Sequence, residues 1–106
     1  MQQYVIYAYD GTDAQALERR MAARPHHLVV VKQLKANGNF IIGGAILNEA
    51  GNMIGSTMLV QFDTEDALYN WYNNDPYVTM KVWEKVEIKP LKPTVDGYVA
   101  TFTVAP

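Results

Sequence analysis

Residues 39–62 read NFIIGGAILNEAGNMIGSTMLVQF. Two apolar runs, 39–47 and 53–62, flank NEAGN, a stretch of turn residues that accept left-handed backbone. The segment is expected to form an antiparallel hairpin. What lies on either side of it decides the fold. Upstream, Tyr4 to Tyr9 (YVIYAY) is β-branched and aromatic, the composition of a strand. Asp10-Gly11-Thr12-Asp13 is a turn, with Thr12 or Asp13 as helix N-cap. A helical stretch follows from Ala14 to about Asn37, with Ala14, Leu17 and Met21, then Leu28, Val31 and Leu34, at helical spacing. Pro25 lies inside it and, lacking an N–H, predicts a kink or two abutting helices. Asn37-Gly38 suits a helix C-terminus.

Downstream, Asp63-Thr64-Glu65-Asp66 places acids where a helix N-terminus favours them. Leu68, Trp71 and Tyr72 give the next helix an apolar side, Asn73 to Pro76 breaks it, and a short helix is expected at Pro76 to Met80. Trp83 to Leu91 alternates Val86, Ile88 and Pro90 against Glu87 and Lys89, the period of a strand. After Lys92-Pro93, Tyr98 to Val104 alternates again and predicts a further strand. The order is β-α-β-β-α-β plus one strand. This is an α+β arrangement, the split βαβ of ferredoxin-like folds, with an antiparallel sheet. One domain over residues 1–106 is expected, with a core at about 3–92 and an extension over 93–106.

Composition narrows the function. The net charge is −2 and no Lys/Arg run exists, which argues against nucleic acid, where clustered cations supply most of the affinity. An RNA-recognition sheet fails on the same ground, and on the lack of an Arg/Lys-Gly-Phe-type third strand. With no cysteine, disulfides, thiolate zinc sites and thiol catalysis are excluded. Met1-Gln2-Gln3-Tyr4 lacks the basic and apolar regions of a signal peptide, and no apolar run approaches a membrane span. The expectation is a cytoplasmic protein with no membrane, metal or cofactor partner. Tyr4, Tyr7 and Tyr9 add many aromatics to a sheet whose helices can cover only one face. A homodimer packed through its sheets follows.

An ordered set of short motifs resembles the YCII-related family. These are the YVIYAYD strand, Arg24-Pro25-His26-His27-Leu28, Gly43-Gly44, Gly55-Ser56, Asp75-Pro76-Tyr77-Val78 and Glu87-Ile88-Lys89-Pro90-Leu91. They cover about residues 3–92. The resemblance implies a ferredoxin-like domain that pairs into a dimeric α+β barrel. It also implies a site built on His27 and Asp75, and activity, where known, on small aromatic-derived acids, including elimination. Pro25 within the Arg-x-x-His motif and the extension beyond Lys92 depart from the family pattern.

Each candidate residue carries a second reading. His27 can act as acid or base near neutral pH, or serve as a structural histidine at a helix edge; it is expected on the side of Leu28 and Leu34, facing the sheet. His26 reads as a surface residue. Asp75 can fix the imidazole tautomer, or cap the short helix ahead of Pro76; the two roles are compatible. Arg24, one turn before His27, can hold a carboxylate or form an ordinary salt bridge. Ser56 can donate a hydrogen bond into a pocket, but no nucleophile elbow surrounds it. Gly43-Gly44 predicts a bulge or a close approach to the backbone. With Arg24 and Ser56, these glycines are the substrate-binding candidates. Adjacent histidines diverge by about 100° on a helix and make a poor metal site. Two functions remain from sequence: a small enzyme using His27 and Asp75 on an acidic metabolite, or a non-catalytic domain that only binds such a ligand.

Overall fold

A computed structural model of the chain describes residues 1–95. The elements are β1 (Gln2–Asp10), α1 (Ala16–Ala36), β2 (Phe40–Leu47), β3 (Met53–Phe62), α2 (Glu65–Asn74), α3 (Pro76–Thr79) and β4 (Trp83–Leu91). The four strands form one sheet in the order β2-β3-β1-β4, every neighbouring pair antiparallel. β1 and β2 therefore run parallel with β3 inserted between them, the split βαβ of a ferredoxin-like fold. The expected strand over Tyr98 to Val104 lies outside the described residues.

Strand parity sorts the two faces. Tyr4, Ile6, Ala8 and Asp10 of β1 are buried under the helices, in register with Val60, Met58 and Ser56 of β3 and with Pro90, Ile88 and Val86 of β4. Val5, Tyr7 and Tyr9 alternate to the opposite face, where no helix of the described chain packs, and Tyr7 and Tyr9 are about half exposed. The core joins Ile6, Val60, Leu68, Tyr77 and Val82, all nearly free of solvent, to Trp71 and Trp83.

The ends of α2 follow the sequence closely. Thr64 Oγ1 accepts the Ala67 amide at 3.1 Å as N-cap, and Asp75 both closes α2 and caps α3. At the end of α1, Gly38 takes φ +76°, the left-handed backbone that a helix C-terminus uses. The start of α1 differs from expectation. Gln15 is the N-cap and makes no side-chain cap bond. Asp13 instead accepts the Gln15 amide at 3.3 Å and engages Arg19, organising the turn before the helix.

α1 corrects two further readings. It runs unbroken through Pro25, so the two abutting helices do not occur. The ring is exposed, and buried Ala23 and His27 on either side hold the helix to the protein. Its buried stripe is also not the leucine stripe. Ala16, Arg20, Ala23, His27 and Leu34 face inward, whereas Leu17, Met21 and Leu28 are 41%, 49% and 44% exposed. Small alanines let the helix approach the sheet, and two polar residues turn inward because each finds partners there.

Candidate functional site

The corner between α2 and α3 presents the Asp75 carboxylate, which is 0% exposed. Oδ1 accepts the Tyr77 backbone N–H at 2.9 Å, fixing the first turn of α3. Oδ2 accepts the Trp71 indole N–H at 3.1 Å, from one helical turn earlier on α2. The third partner is His27, whose Nδ1 lies 2.8 Å from Oδ1. With an Nδ1–H donating to this carboxylate oxygen, Nε2 is the second, open position of the ring. Nε2 has no hydrogen-bond partner among the described residues. The imidazole stacks on Tyr77 at 3.9 Å between centroids, with planes 13° apart, and the Trp83 ring meets it edge-on at 6.0 Å. Orientation is thus set by a carboxylate on one atom and by aromatic packing on the ring.

A second buried network lies beside the first. Arg20 Nη1 donates to both Asp10 oxygens at 3.0 and 3.1 Å, and Nη2 donates to Ser56 Oγ at 2.8 Å. The Trp83 indole N–H reaches the same Oγ at 3.2 Å. The Arg20 guanidinium carbon sits 4.7 Å from the Tyr77 ring centroid, in cation–π range. Tyr77 therefore touches both networks. Arg20 Nε is buried without a partner. Burial pushes the Asp10 carboxyl above its ordinary value, with the Arg20 charge and hydrogen bond pulling the other way. Burial likewise raises the Tyr77 phenol, and the charges of Arg20 and Arg24 oppose that shift.

Both networks border a cavity of about 190 Å³ between α1 and the β2–β3 hairpin. His27, Arg20, Arg24, Ser56 and Tyr77 supply its polar wall, and Leu28, Val31, Phe40, Met53 and Met58 its apolar wall. Arg24 is half-buried and forms no salt bridge among the described residues. Gly43 and Gly44 line the same cavity, but they do not form the expected bulge. The register shifts of β2 fall between Phe40 and Ile42 and between Ile46 and Leu47. The close approach at Gly43 comes from the protein itself: a Cβ there would lie 3.1 Å from the Phe40 ring and from the Thr57 carbonyl oxygen. A Cβ at Gly44 would meet nothing within 4 Å. His26 is exposed, as expected. Ser56 is held by Arg20 and Trp83, with no hydrogen bond to His27, so the Ser, His and Asp do not form a nucleophilic triad. No group of three or more metal-ligating side chains exists among the described residues.

The structure brings His27, Asp75, Arg24, Ser56, Gly43 and Gly44 to one region. Sequence reasoning missed Arg20, Asp10, Trp71, Tyr77 and Trp83 as parts of it. Two signals were present. Arg20 lies seven residues before His27, two helical turns away on the same face. Asp10 continues the even parity of Tyr4, Ile6 and Ala8, so an acid was pointing inward.

Comparison with known proteins bears on this arrangement. The sequence model of the YCII-related domain matches residues 2–92. Protein YciI of Escherichia coli is 37% identical over 95 residues, covering 84% of this chain and 95% of that protein. Among solved structures, the 5-chloro-2-hydroxyhydroquinone dehydrochlorinase of Burkholderia phenoliruptrix, in complex with 2,5-dihydroxybenzoquinone, superposes with a TM-score of 0.73 at 22% identity. It covers 85% of this chain and 93% of that one. A dimeric ferredoxin-like protein of unknown function from Jannaschia sp. superposes at 0.55 with 11% identity, over 88% of this chain and all of that one. These two likenesses are of fold. The family match and the curated relative together place this chain in the YCII-related family.

Proposed function

We propose that the chain is a small enzyme performing acid–base chemistry, an elimination or isomerisation, on a small acidic metabolite. His27 moves the proton through Nε2, Asp75 holds the ring in the tautomer that leaves Nε2 open, and Arg24 anchors a substrate carboxylate. The observation that carries this reading is the 2.8 Å contact from His27 Nδ1 to a fully buried carboxylate, on a histidine that also lines a cavity. Among the described residues His27 Nε2 has no hydrogen-bond partner and Arg24 no salt bridge, and both side chains line the cavity. The name of the Burkholderia structure, a dehydrochlorinase, supports elimination as the class of reaction.

Turnover on a panel of unsaturated carboxylic acids and lactones tests the proposal, read beside ligand-induced melting shifts. Expected is turnover by the wild type that His27→Ala abolishes while the variant still folds, with a melting temperature lowered by the cavity and by the donor lost from Asp75. Melting shifts without turnover across the panel would favour a domain that only binds such ligands. The same proposal includes a homodimer formed through the uncovered sheet face, where Val5, Tyr7, Ile42 and Leu59 line an apolar groove. A structural neighbour described as dimeric supports it. Light scattering at micromolar concentration is expected to give the dimer mass; a clean monomer would overturn that part.

A further inference from the structure

The two donors that meet at Ser56 leave its hydroxyl one direction of use. A serine hydroxyl has one hydrogen and two lone pairs, while a guanidinium N–H and an indole N–H can only donate. Arg20 Nη2 at 2.8 Å and Trp83 Nε1 at 3.2 Å therefore occupy both lone pairs of Oγ. The hydroxyl hydrogen has no acceptor among the described residues, yet Ser56 is only 3% exposed and lines the cavity. A buried O–H without an acceptor is costly to leave unmatched, and the cavity is where a ligand can match it. Arg20 cannot swing away to release Oγ, since its other terminal nitrogen is held by both oxygens of Asp10. Trp83 is fixed by its packing against Tyr77 and Tyr72.

We propose that Ser56 is a one-way donor that selects ligands with an acceptor oxygen, a ketone, ring carbonyl or enolate, in addition to the carboxylate. Arg20, Asp10 and Trp83 are positioning residues that make it so. An amine or amide N–H at the same place meets a hydroxyl with no lone pair left. The inference rests on the reading of the cavity as an acidic-ligand site, and it narrows the ligand class from small acids to small oxo acids.

The test pairs ring acids of the same shape that differ in one acceptor: the ortho, meta and para acetylbenzoates against the matching isopropenylbenzoates, titrated calorimetrically. In at least one pair the acetyl compound is expected to bind about tenfold tighter, the worth of one hydrogen bond to a buried donor. Ser56→Cys, whose sulfur still accepts from Arg20 and Trp83 but whose S–H donates only weakly, should bring that ratio to about one. If this variant does not fold, the ratio is read in Ser56→Thr, which keeps the hydroxyl and should keep the preference. Trp83→Phe, which returns one lone pair to Oγ, should keep the acetyl preference and let the matching aminobenzoates, which present an N–H, bind more tightly than they do to the wild type. Equal affinities within all three pairs, or a preference that survives loss of the hydroxyl, would overturn the inference. Binding that depends on Arg24 with no acetyl preference would overturn it alone. No binding of any of the six would remove the acidic-ligand reading and this inference together.

Discussion

Arg19 and Arg20 are neighbours on α1, bonded to Asp13 of the preceding turn and to Asp10 at the end of β1, and the two pairs behave oppositely. Arg19 and Asp13 are 36% and 48% exposed, and two short bonds of 2.7 and 2.8 Å join them. The Arg19 hydrogen bond holds the Asp13 carboxyl down at about 2. Arg20 and Asp10 are 3% and 4% exposed, with bonds almost as short. There burial is the larger effect and the Asp10 carboxyl rises. The bonding is similar; the water is not. An exposed pair keeps its hydration and gains a little from its partner. A buried pair has lost hydration, and partner attraction offsets only part of that loss. The buried pair therefore adds little net stability as a pair, yet removing one member should be severe. Its use is geometric, because it holds Arg20 on Ser56.

The largest test of that contrast is Asp10→Ala, which leaves the Arg20 charge buried and unpaired. A loss of about 3–5 kcal/mol in urea unfolding is expected. A loss under about 1 kcal/mol would mean that water reaches Arg20 and the contrast fails. The second extends the comparison to the other buried acid. Trp71→Phe removes one of the three donors on Asp75 and should cost about 1–3 kcal/mol, the range for a buried acceptor left unmatched. In the same variant His27 should keep its proton on Nδ1 by nitrogen NMR, because the 2.8 Å contact is untouched; a proton found on Nε2 would undo the proposed role of Asp75.

Carboxyl titration by carbon NMR sharpens the contrast with smaller effects. Asp13 should titrate near 2, below its ordinary 3.8, and Asp10 above 3.8. The linked stabilities have opposite signs. The contribution of Asp13 is present above 3.8 and is lost as pH falls through about 2. That of Asp10 is full below 3.8 and is lost as pH rises through its raised value. Coincident midpoints would erase the distinction. The smallest expected effect is Arg19→Ala, which should leave the urea midpoint within error in molar salt, where exposed charges are screened. A clear loss there would show that the outer pair is more than a surface contact.

This contrast also explains what the sequence could be made to say. The strand at Tyr4 to Tyr9 and the hairpin at 39–62 were legible from β-branched and aromatic runs flanking turn residues; which face each tyrosine takes was not, since Tyr4, grouped with Tyr7 and Tyr9 for the uncovered face, is buried under the helices. Asp75 as a helix cap was legible from Asp-Pro alone, and its pairing with His27 came through family resemblance. Arg20 was not legible. In the run Leu17-Glu18-Arg19-Arg20-Met21, hydrophobic periodicity selects the leucine and methionine, and they proved exposed. Periodicity measures burial by greasiness. It fails where a helix turns inward two polar side chains whose partners come from elsewhere in the chain, β1 and β3 for Arg20 and the α2–α3 corner for His27. Pro25 misled for a related reason: packing on both sides of the ring outweighs one missing hydrogen bond.

The corner at Asp75 has a consequence for how this site could change over generations. One side chain finishes α2, begins α3 and meets His27. Asparagine and serine also begin helices well, so the cap alone would accept either. Neither serves all three donors: an asparagine amide turns an N–H2 toward the Trp71 indole or toward His27, and one serine hydroxyl cannot reach all of them. A lineage screened only for solubility is therefore expected to keep aspartate at this one codon, whatever becomes of the cavity beside it.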